Sequence, residues 1–567
     1  MNLCKSLRHG LLWLVTLTLG QLALAANGPQ YASDGMVVSQ NALASEAGAQ
    51  VLREGGNAID AAVATAFALA VTHPTAGNIG GGGFLIHRPA KGDAQTYDFR
   101  EKAPAAAHPE MWLDEAGNYD YEKHHSSHLA VGVPGTVAGL YLAWEDGGTL
   151  PWARLVAPAI ALAREGFTVT HGLARSLSTT GMRRFEPYPA SVAQFTKEGA
   201  PYEAGDRLVQ RDLAATLERI AEAGPKGFYE GETADLLVKE MAGNGGIITH
   251  DDLKAYEAVR RAPILGTYRG YDIIGMPPPS SGGVTMVQML NVLEGYDLSA
   301  SGFGSARTLH LMTESMRRGY ANRARYLGDP DFNPDMPLAE LLSKDYATLL
   351  RASIDENTAS LSDPGSFTWG YESPETTHFS VVDGARNAVS VTYTLEYSYG
   401  SGIVVPGAGF LLNNEMGDFN GKPGLTDTRG LIGTPPNVAE PGKRMLSSMS
   451  PTIVAKDGAL FMVTGSPGGR TIINTTLQTI LNVVDHGMNA QAAVDAGRIH
   501  HQWLPDRISY EAQLFSPDTV KLLEAMGHGT RAQSRQGVAE VIVVNPETGL
   551  LEGGVDGRAP DGGAAGY

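Results

Sequence analysis

The stretch that decides the fold is Pro-Glu-Thr-Thr-His-Phe-Ser-Val-Val-Asp, residues 374–383. A threonine inside a chain is a poor nucleophile because no nearby group takes its proton. A threonine at a new N-terminus carries its own base, the freed α-amine, whose ordinary pKa is about 7.7–8.0. We therefore hypothesise that the protein cuts itself between Glu375 and Thr376. The alternative is that Thr376 simply begins a β-strand, since threonine favours strands.

The composition is that of a globular protein rather than a disordered chain, because 43% of the residues are hydrophobic and 18% are charged. The 69 glycines predict many tight turns and close backbone approaches. The net charge of −18 argues against nucleic acid or an anionic membrane surface as a partner.

Residues 1–25 have the pattern of a secretory signal peptide. Two basic residues open the segment, an apolar run follows, and a small-x-small cleavage site ends at Ala25. The run is too short to predict a membrane span, so we expect none in the mature protein. The chain's only cysteine, Cys4, lies inside this segment, which excludes thiol catalysis and cysteine metal sites from the mature chain. A cysteine-free exported protein suits the bacterial periplasm or secretion.

The part of the chain before residue 353 alternates helices with short strands. A strand is predicted at 36–39, and helices are predicted at 42–52 and 57–71. Four glycines follow at 80–83. A phosphate-binding loop would continue into Gly-Lys-Ser/Thr, which is absent, so we predict a strand with close backbone approach. Residues 152–326 show mainly the spacing of helices.

Three positions in this part carry residues with chemical potential. Arg100 follows a predicted strand, and its planar fork suits a carboxylate, although a surface salt bridge would explain it equally. The histidines at 124, 125 and 128 lack further ligands at recognisable spacing, so we expect no metal there. Ser281 follows a proline-rich turn but lacks the Gly-x-Ser-x-Gly elbow of serine hydrolases.

Residues 353–375 lose all periodicity and are rich in small and polar residues. This composition predicts an exposed, mobile segment that ends just before Thr376, as a peptide bond that must open would require. A β-hairpin is predicted next, over residues 378–396. Its alternation places Thr394 on the same polar face as Glu396 and nearly opposite Thr376.

A second hairpin is predicted over residues 451–464, and it leads into Gly-Ser-Pro-Gly-Gly at 465–469 and a helix over about 471–484. The backbone N–H groups of Gly468 and Gly469 at a helix start are good donors to an oxyanion, helped by the helix dipole. A tight strand-to-helix turn would explain the same glycines, and the two roles are compatible.

Six short motifs occur in order along the chain: Gly-Gly-Asn-Ala-Ile-Asp-Ala-Ala-Val-Ala (55–64), Asp-Phe-Arg-Glu (98–101), Pro-Glu-Thr-Thr-His (374–378), Leu-Asn-Asn (412–414), Ser-Ser-Met-Ser-Pro-Thr (447–452) and Gly-Ser-Pro-Gly-Gly (465–469). With them, the chain resembles γ-glutamyltranspeptidases (glutathione hydrolases) from about residue 36 to Tyr567. The resemblance implies an N-terminal-nucleophile hydrolase, an α+β fold built as a four-layer αββα sandwich. It also implies a precursor that cuts itself into a large subunit, 26–375, and a small subunit, 376–567, which stay together as a heterodimer with one shared core.

The resemblance implies a role for each candidate residue by its position. Thr376 would be the nucleophile, both in self-cleavage and in forming a γ-glutamyl ester, and Thr394 would position it. The oxyanion hole would consist of Gly468 and Gly469. The α-carboxylate of the γ-glutamyl group would bind Arg100, Ser447 and Ser448, and its α-ammonium would bind Glu396, Glu415 and Asp418. The implied substrates are glutathione and other γ-glutamyl compounds, with water, amino acids or dipeptides as acceptors, and no cofactor is implied.

Two departures from the family pattern affect the substrate site. Many members carry asparagine and glutamine where this chain has Glu396 and Glu415. Three carboxylates around one ammonium repel one another and should raise the pKa of one of them, so we expect a pH dependence that a Glu396→Asn variant loses. Arg429 lies in a loop, 421–443, with the length of the family's active-site lid, and it stands where an aromatic gate residue is common. The resemblance therefore does not carry the family's gating residue over to this chain.

Two rival functions remain. A cephalosporin or glutaryl acylase would use the same fold and nucleophile on an acyl group that lacks the ammonium. Its pocket would not need the carboxylates of Glu396, Glu415 and Asp418, whose presence favours a γ-glutamyl enzyme. From another class, the chain could be an uncut binding or scaffold protein, which a gel would show as one persistent full-length band.

Overall fold

The structure, a computed structural model, describes residues 28–363, 376–424 and 434–567, and over these residues the chain forms two seven-stranded sheets. The first sheet has the spatial order Gly563–Gly566, Met36–Ser39, Thr377–Val382, Ala388–Thr394, Gly82–Arg88, Gln95–Phe99 and Val259–Arg261. The second sheet has the order Gln30–Ala32, Leu551–Val555, Glu540–Val544, Ala459–Thr464, Thr452–Lys456, Tyr271–Gly275 and Ile264–Tyr268. Neighbouring strands pair antiparallel in both sheets.

Helices cover the outer face of each sheet. The helices that share a hydrophobic core with the first sheet are Ala42–Arg53, Ala58–Thr72, Thr136–Gly147, Trp152–Glu165, His171–Ser176, Met182–Phe185, Pro189–Phe195, Arg211–Ala223, Lys226–Tyr229, Gly231–Gly243 and His250–Lys254. The helices that share a hydrophobic core with the second sheet are Gly282–Leu293, Leu298–Ser301, Ala306–Tyr326, Leu338–Leu341, Lys344–Ala352, Thr471–Val484, Ala490–Asp495 and Pro517–Ala525. Shorter elements include the helix Tyr121–His125, the helical turns His128–Ala130, Leu177–Gly181, Glu415–Asp418 and Pro435–Asn437, and the small strands Phe167–Thr168, Thr196–Lys197, Ala200–Pro201, Arg207–Leu208, Ile499–His500, Ile508–Glu511 and Thr530–Gln533.

The inner faces of the two sheets pack on each other. Side chains alternate along a strand, so Val37 joins the core under the helices while Val38 joins the core between the sheets. In the same way, Leu85 joins the core under the helices and Phe84 joins the core between the sheets. The layers are therefore helix, sheet, sheet and helix, which confirms the predicted α+β four-layer sandwich.

Local signals located many elements correctly. The predicted helix after residue 57 spans Ala58–Thr72, and its first turn is closed by a capping box between Asn57 and Asp60. The prediction of mainly helix over 152–326 was wrong at the edge of the second sheet, where Ile264–Tyr268 and Tyr271–Gly275 form strands. Leu265 there is 66% exposed, and an apolar residue on the solvent face hides the alternation that identifies a strand.

The predicted mobile segment 353–375 is described only as far as residue 363, and this part is tied to the core although many of its residues are exposed. The backbone N–H of Ser360 donates to Glu314 Oε1 at 3.0 Å, and that of Ser362 donates to Asp506 Oδ2 at 2.7 Å. Arg317 pairs with both carboxylates. Buried charges are stable when they are paired and hydrogen-bonded, so this cluster anchors the chain before the cleavage segment.

A Glu314→Gln variant is expected to lose stability in a pH-dependent way. Burial opposes the ionisation of Glu314, but the attraction of Arg317 and hydrogen bonds from Ser360 and Arg318 outweigh it and lower its pKa from 4.5 to about 2. The anion therefore stabilises the fold above about pH 4.5, and this stabilisation is lost as the pH falls towards 2. We expect the Tm at pH 7 to drop by about 5 °C, and the difference from wild type to shrink in acid.

Glu356→Gln is the matched control, since Glu356 forms an exposed ion pair with Arg307 in the same region. An exposed pair contributes little to stability, so its Tm should stay near that of wild type at every pH. Equal losses in the two variants, or a Glu314→Gln deficit that grows in acid, would contradict the anchoring role.

Candidate active site

Thr376 lies immediately before the central strand Thr377–Val382, at its buried end. In the hairpin, Thr377 pairs with Tyr393, which places Thr376 opposite Thr394. The Thr376 hydroxyl donates to Thr394 Oγ1 over 3.4 Å. The hairpin and the opposition of the two threonines are therefore as the alternation of the sequence predicted.

Thr394 is itself held on two sides. Its Oγ1 accepts the backbone N–H of Glu396 at 2.8 Å, and its carbonyl accepts from Asn78 Nδ2 at 2.9 Å. The glycine run at 80–83 lets its backbone lie close to Thr394, because a Cβ at Gly81 would overlap the Thr394 carbonyl oxygen. The predicted close backbone approach at these glycines thus supports the residue beside Thr376.

A pocket of about 250 Å³ opens at Thr376. It brings together nine of the predicted site residues with two apolar neighbours, and its lining is Arg100, Thr376, Thr394, Glu396, Glu415, Asp418, Ser447, Ser448, Met449, Gly469 and Ile472. Thr394 ends a strand of the first sheet, Ile472 lies in the first turn of the helix Thr471–Val484, and the other residues lie in loops and turns far apart in the sequence. Folding therefore brings together nine of the residues that the resemblance had assigned only by position, while Gly468 is not among the lining residues.

Arg100 is fully buried and ion-paired with two carboxylates of the pocket. Its Nη1 contacts Glu415 and its Nη2 contacts Asp418, while Glu101 lies 3.6 Å away. Burial works against the charge of Arg100, but these three carboxylates raise its pKa. Burial also raises the pKa of Glu415 to about 8, against the attraction of Arg100. The predicted carboxylate-binding and ammonium-binding groups thus contact each other directly.

The turn at Ser447 and Ser448 is held by Arg323, a residue that no sequence motif singled out. Arg323 lies on the helix Ala306–Tyr326, and its Nη2 donates to Ser448 Oγ at 2.9 Å. Its Nε donates to Ser281 Oγ at 2.7 Å, and Ser281 Oγ donates to the Ser447 carbonyl at 2.6 Å. Ser281 is therefore a structural support of the pocket wall, consistent with its lack of a nucleophile elbow.

Gly468 and Gly469 lie between the strand Ala459–Thr464 and the helix Thr471–Val484, as predicted. Both residues have positive φ angles, 131° and 54°, a region that glycine adopts without strain. Gly469 lines the pocket, whereas a Cβ at Gly468 would overlap Thr471 Oγ1. Glycine is thus required by the backbone at this turn.

Glu396 reaches the pocket in a different way from the one predicted. The strand ends at Thr394, and Glu396 follows in a left-handed conformation with φ 77°, so it is not part of the polar strand face. The histidines at 124 and 125 are buried and pack behind it, while His128 pairs with Glu240 at 3.0 Å.

Three predictions fall on residues outside the described parts. They are the signal peptide 1–25, Glu375 at the cleavage bond, and Arg429 in the proposed lid. Over the described parts of the chain, we find no helix both long and apolar enough to cross a membrane.

The two stacked antiparallel sheets, the flanking helices and a threonine immediately before a central strand are the arrangement of an N-terminal-nucleophile hydrolase. A family model described as Gamma-glutamyltranspeptidase matches residues 44–567. The chain is 51% identical over 542 residues to the glutathione hydrolase proenzyme of Escherichia coli (strain K12), covering 95% of this chain and 93% of that relative. The chain therefore belongs to the gamma-glutamyltranspeptidase family.

Solved structures with the same fold include both enzyme types considered above. The cephalosporin acylase from Bacillus halodurans has a TM-score of 0.84 at 29% identity, covering 96% of this chain and 97% of that chain. The gamma-glutamyltranspeptidase of Helicobacter pylori has a TM-score of 0.55 at 48% identity, covering 56% of this chain and 91% of that chain.

Proposed function

We propose that the chain is a γ-glutamyltransferase and glutathione hydrolase whose nucleophile is Thr376. The observation that carries this proposal is the pocket beside Thr376, which contains a buried guanidinium flanked by carboxylates. A γ-glutamyl group ends in a free amino acid, so its binding site must hold an α-carboxylate and an α-ammonium together. The pocket offers groups of both charges within reach of one hydroxyl.

The proposed chemistry has two steps at Thr376. Its Oγ attacks the γ-carbonyl carbon of the donor while the freed α-amine takes the hydroxyl proton, and the backbone N–H groups of Gly468 and Gly469 stabilise the oxyanion. Collapse of this intermediate expels the donor's amine with a proton and leaves a γ-glutamyl ester. Water, or the amine of an amino acid or peptide, then attacks the ester carbonyl and restores the hydroxyl.

Donor binding replaces an ion pair that already exists in the pocket. We expect the α-carboxylate to bind Arg100, with Ser447 and Ser448, and the α-ammonium to bind Glu415 and Asp418, with Glu396. Arg100 pairs with Glu415 and Asp418 within the pocket, so its buried charge is not left unpaired. A zwitterionic donor exchanges these pairs for new ones, whereas an acyl group with only one of the two charges leaves carboxylates uncompensated.

The acylase alternative fits this pocket less well. Removing the ammonium from a site built to bind it leaves buried polar groups unpaired, which can cost several orders of magnitude in specificity. We therefore expect glutathione to exceed glutaryl-cysteinylglycine, which lacks only the α-amine, by at least about 100-fold in kcat/KM.

We also propose that maturation and export follow the sequence expectations. The chain is cut at Glu375–Thr376 into residues 26–375 and 376–567, which remain a heterodimer because strands from both parts share each sheet. The signal peptide directs the chain to the periplasm or outside the cell.

The test uses the purified wild-type protein. Mass spectrometry is expected to show two fragments that begin at residues 26 and 376, and glutathione is expected to release glutamate. A persistent full-length band without glutamate release would contradict the enzyme proposal, and a preference for the glutaryl substrate would favour the acylase.

A further inference from the structure

Glu396 occupies an unusual position behind the pocket. Its φ of 77° is uncommon for a residue with a side chain, and such conformations cluster at functional sites where the surroundings enforce them. Glu396 is buried, and its Oε1 lies 3.3 Å from Nδ1 of His125. The protonation state of this contact follows from the hydrogen bonds around it.

A chain of hydrogen bonds fixes the tautomer of His125. The Met416 carbonyl can only accept, so the Nε2 of His124, 2.9 Å away, must be the donor. His124 Nδ1 is then an acceptor, and the Tyr119 hydroxyl at 2.9 Å donates to it. The one hydroxyl proton of Tyr119 is already used in the bond to His124. The Tyr119 oxygen must therefore accept from His125 Nε2, which lies 3.1 Å away. In the neutral ring, the Nδ1 of His125 therefore faces Glu396 with a lone pair.

The other carboxyl oxygen of Glu396 is fixed as an acceptor. Asn414 Oδ1 accepts the backbone N–H of Tyr397 at 3.1 Å, which sets the orientation of the amide. Its Nδ2 donates to the His125 carbonyl at 3.1 Å and to Glu396 Oε2. A lone pair of His125 facing an ionised Oε1 would be repulsive, so one proton must lie between these two atoms.

The surrounding charges place that proton on Glu396. Burial, with Asp418 and Glu415 nearby, raises the pKa of Glu396 well above 4.5, against the attraction of Arg184 and Arg100. Burial, His124 and Arg184 lower the pKa of His125 well below 6.5. The pKa of His124 is lowered to about 3 by burial, and burial raises that of Tyr119, with Tyr121, Glu396 and Asp120 adding to the effect.

The packing holds the two groups in contact. The ring of His125 lies parallel to that of Tyr397, with centroids 5.4 Å apart, and the ring of Tyr121 lies 4.4 Å away on a tilt of 31°. At Gly417, a Cβ would overlap His125 Nδ1 and would lie 2.8 Å from Glu396 Oε2. The absence of a side chain at 417 thus leaves room for the pair.

We propose that His125 is a positioning residue that keeps Glu396 protonated in the resting site, so that Glu396 acts towards the donor as a neutral group, much as an amide would. This inference rests on the proposed function, in which Glu396 faces the donor's α-ammonium. The carboxyl group becomes an anion only at higher pH, and donor recognition then gains a charge that an amide at this position cannot supply.

The test compares Glu396→Gln with wild type for the KM of glutathione. The variant amide can donate to His125 Nδ1 and accept from Asn414, so it reproduces the neutral acid without its proton. We expect the two KM values to agree within about threefold at pH 6, and the variant's KM to rise relative to wild type towards pH 9. Taking the ratio cancels the ionisation of the substrate's own amine.

Glu396→Leu shows whether the contact matters at all, since it removes both oxygens. We expect it to raise KM by at least about tenfold at either pH. A Glu396→Gln effect of tenfold or more at pH 6, or a KM ratio independent of pH, would overturn the proposal. Wild type that releases no glutamate would instead contradict the proposed function, so the two failures are distinguishable.

His125→Phe tests the histidine directly, because phenylalanine keeps the ring stacking but removes the acceptor. We expect KM at pH 6 to rise by about tenfold while kcat stays within about threefold. His128→Phe is the matched control, since His128 pairs with Glu240 away from the pocket, and its kinetics should match wild type. A His125→Phe enzyme with the wild-type KM and pH profile would contradict the role of His125.

Discussion

Replacing Thr376 with alanine is expected to leave the chain uncut and to abolish the release of glutamate from glutathione. The hydroxyl that donates to Thr394 is the proposed attacking group both in self-cleavage and in attack on the donor. Without it, neither the carbonyl of Glu375 nor the γ-carbonyl of glutathione would be attacked. Loss of the nucleophile of a hydrolase typically lowers kcat by about 10⁶-fold, which puts activity below background. A gel should show one full-length band, and a glutamate assay should show none produced.

Two variants make this result specific. Thr377 is the next residue and is fully buried, and its hydroxyl has no hydrogen-bond partner among the residues that the structure describes. Thr377→Ala should therefore still cleave and keep its kcat. Thr376→Ser retains a hydroxyl and should cleave and turn over, although more slowly. A Thr376→Ala chain that still splits would remove Thr376 from the cleavage reaction.

The parts of the site that lie close together in sequence could be predicted from it. The opposition of Thr376 and Thr394 follows from the alternation of one hairpin, and its observed register agrees. The turn at Gly468 and Gly469 follows from a strand, a glycine pair and a helix in immediate succession. Local rules of period and turn chemistry are sufficient for such features.

The electrostatic arrangement of the pocket could not be predicted in the same way. Arg100 contacts carboxylates that lie 315 and 318 residues further along the chain, and only the tertiary fold determines such pairs. The resemblance assigned Arg100 and Glu415 to opposite ends of the substrate, and the structure shows that the two side chains contact each other directly. The pairing explains how so many buried carboxylates are tolerated there.

The supporting residues gave little signal in the sequence. Arg323 lies on an ordinary helix, and its role depends on contacts with two distant serine turns. His125 drew attention only as part of a histidine cluster. Glu396 was expected on a strand face, but the strand ends two residues earlier. The glycines at 400 and 402 in the following stretch were the available signal that the strand ends there.

Replacing Arg100 with methionine is expected to remove most donor recognition. The variant loses the planar fork proposed to hold the α-carboxylate and leaves Glu415 and Asp418 without their buried cation. Removing one partner of a buried charge pair costs about 2–5 kcal/mol, so we expect kcat/KM for glutathione to fall by about 10²–10³-fold. Steady-state kinetics on the cleaved enzyme, with thermal unfolding measured alongside, would test this.

Arg100→Lys and Arg444→Met separate recognition from stability. Lysine restores the charge but cannot form two parallel hydrogen bonds, so it should recover the Tm and only part of kcat/KM. Arg444 is also buried and pairs with Asp98 at 3.4 Å, but it does not line the pocket. Its loss should therefore lower the Tm without changing the KM for glutathione. If Arg444→Met reduced kcat/KM as much as Arg100→Met, the effect of Arg100 would lie in the fold and not in substrate binding.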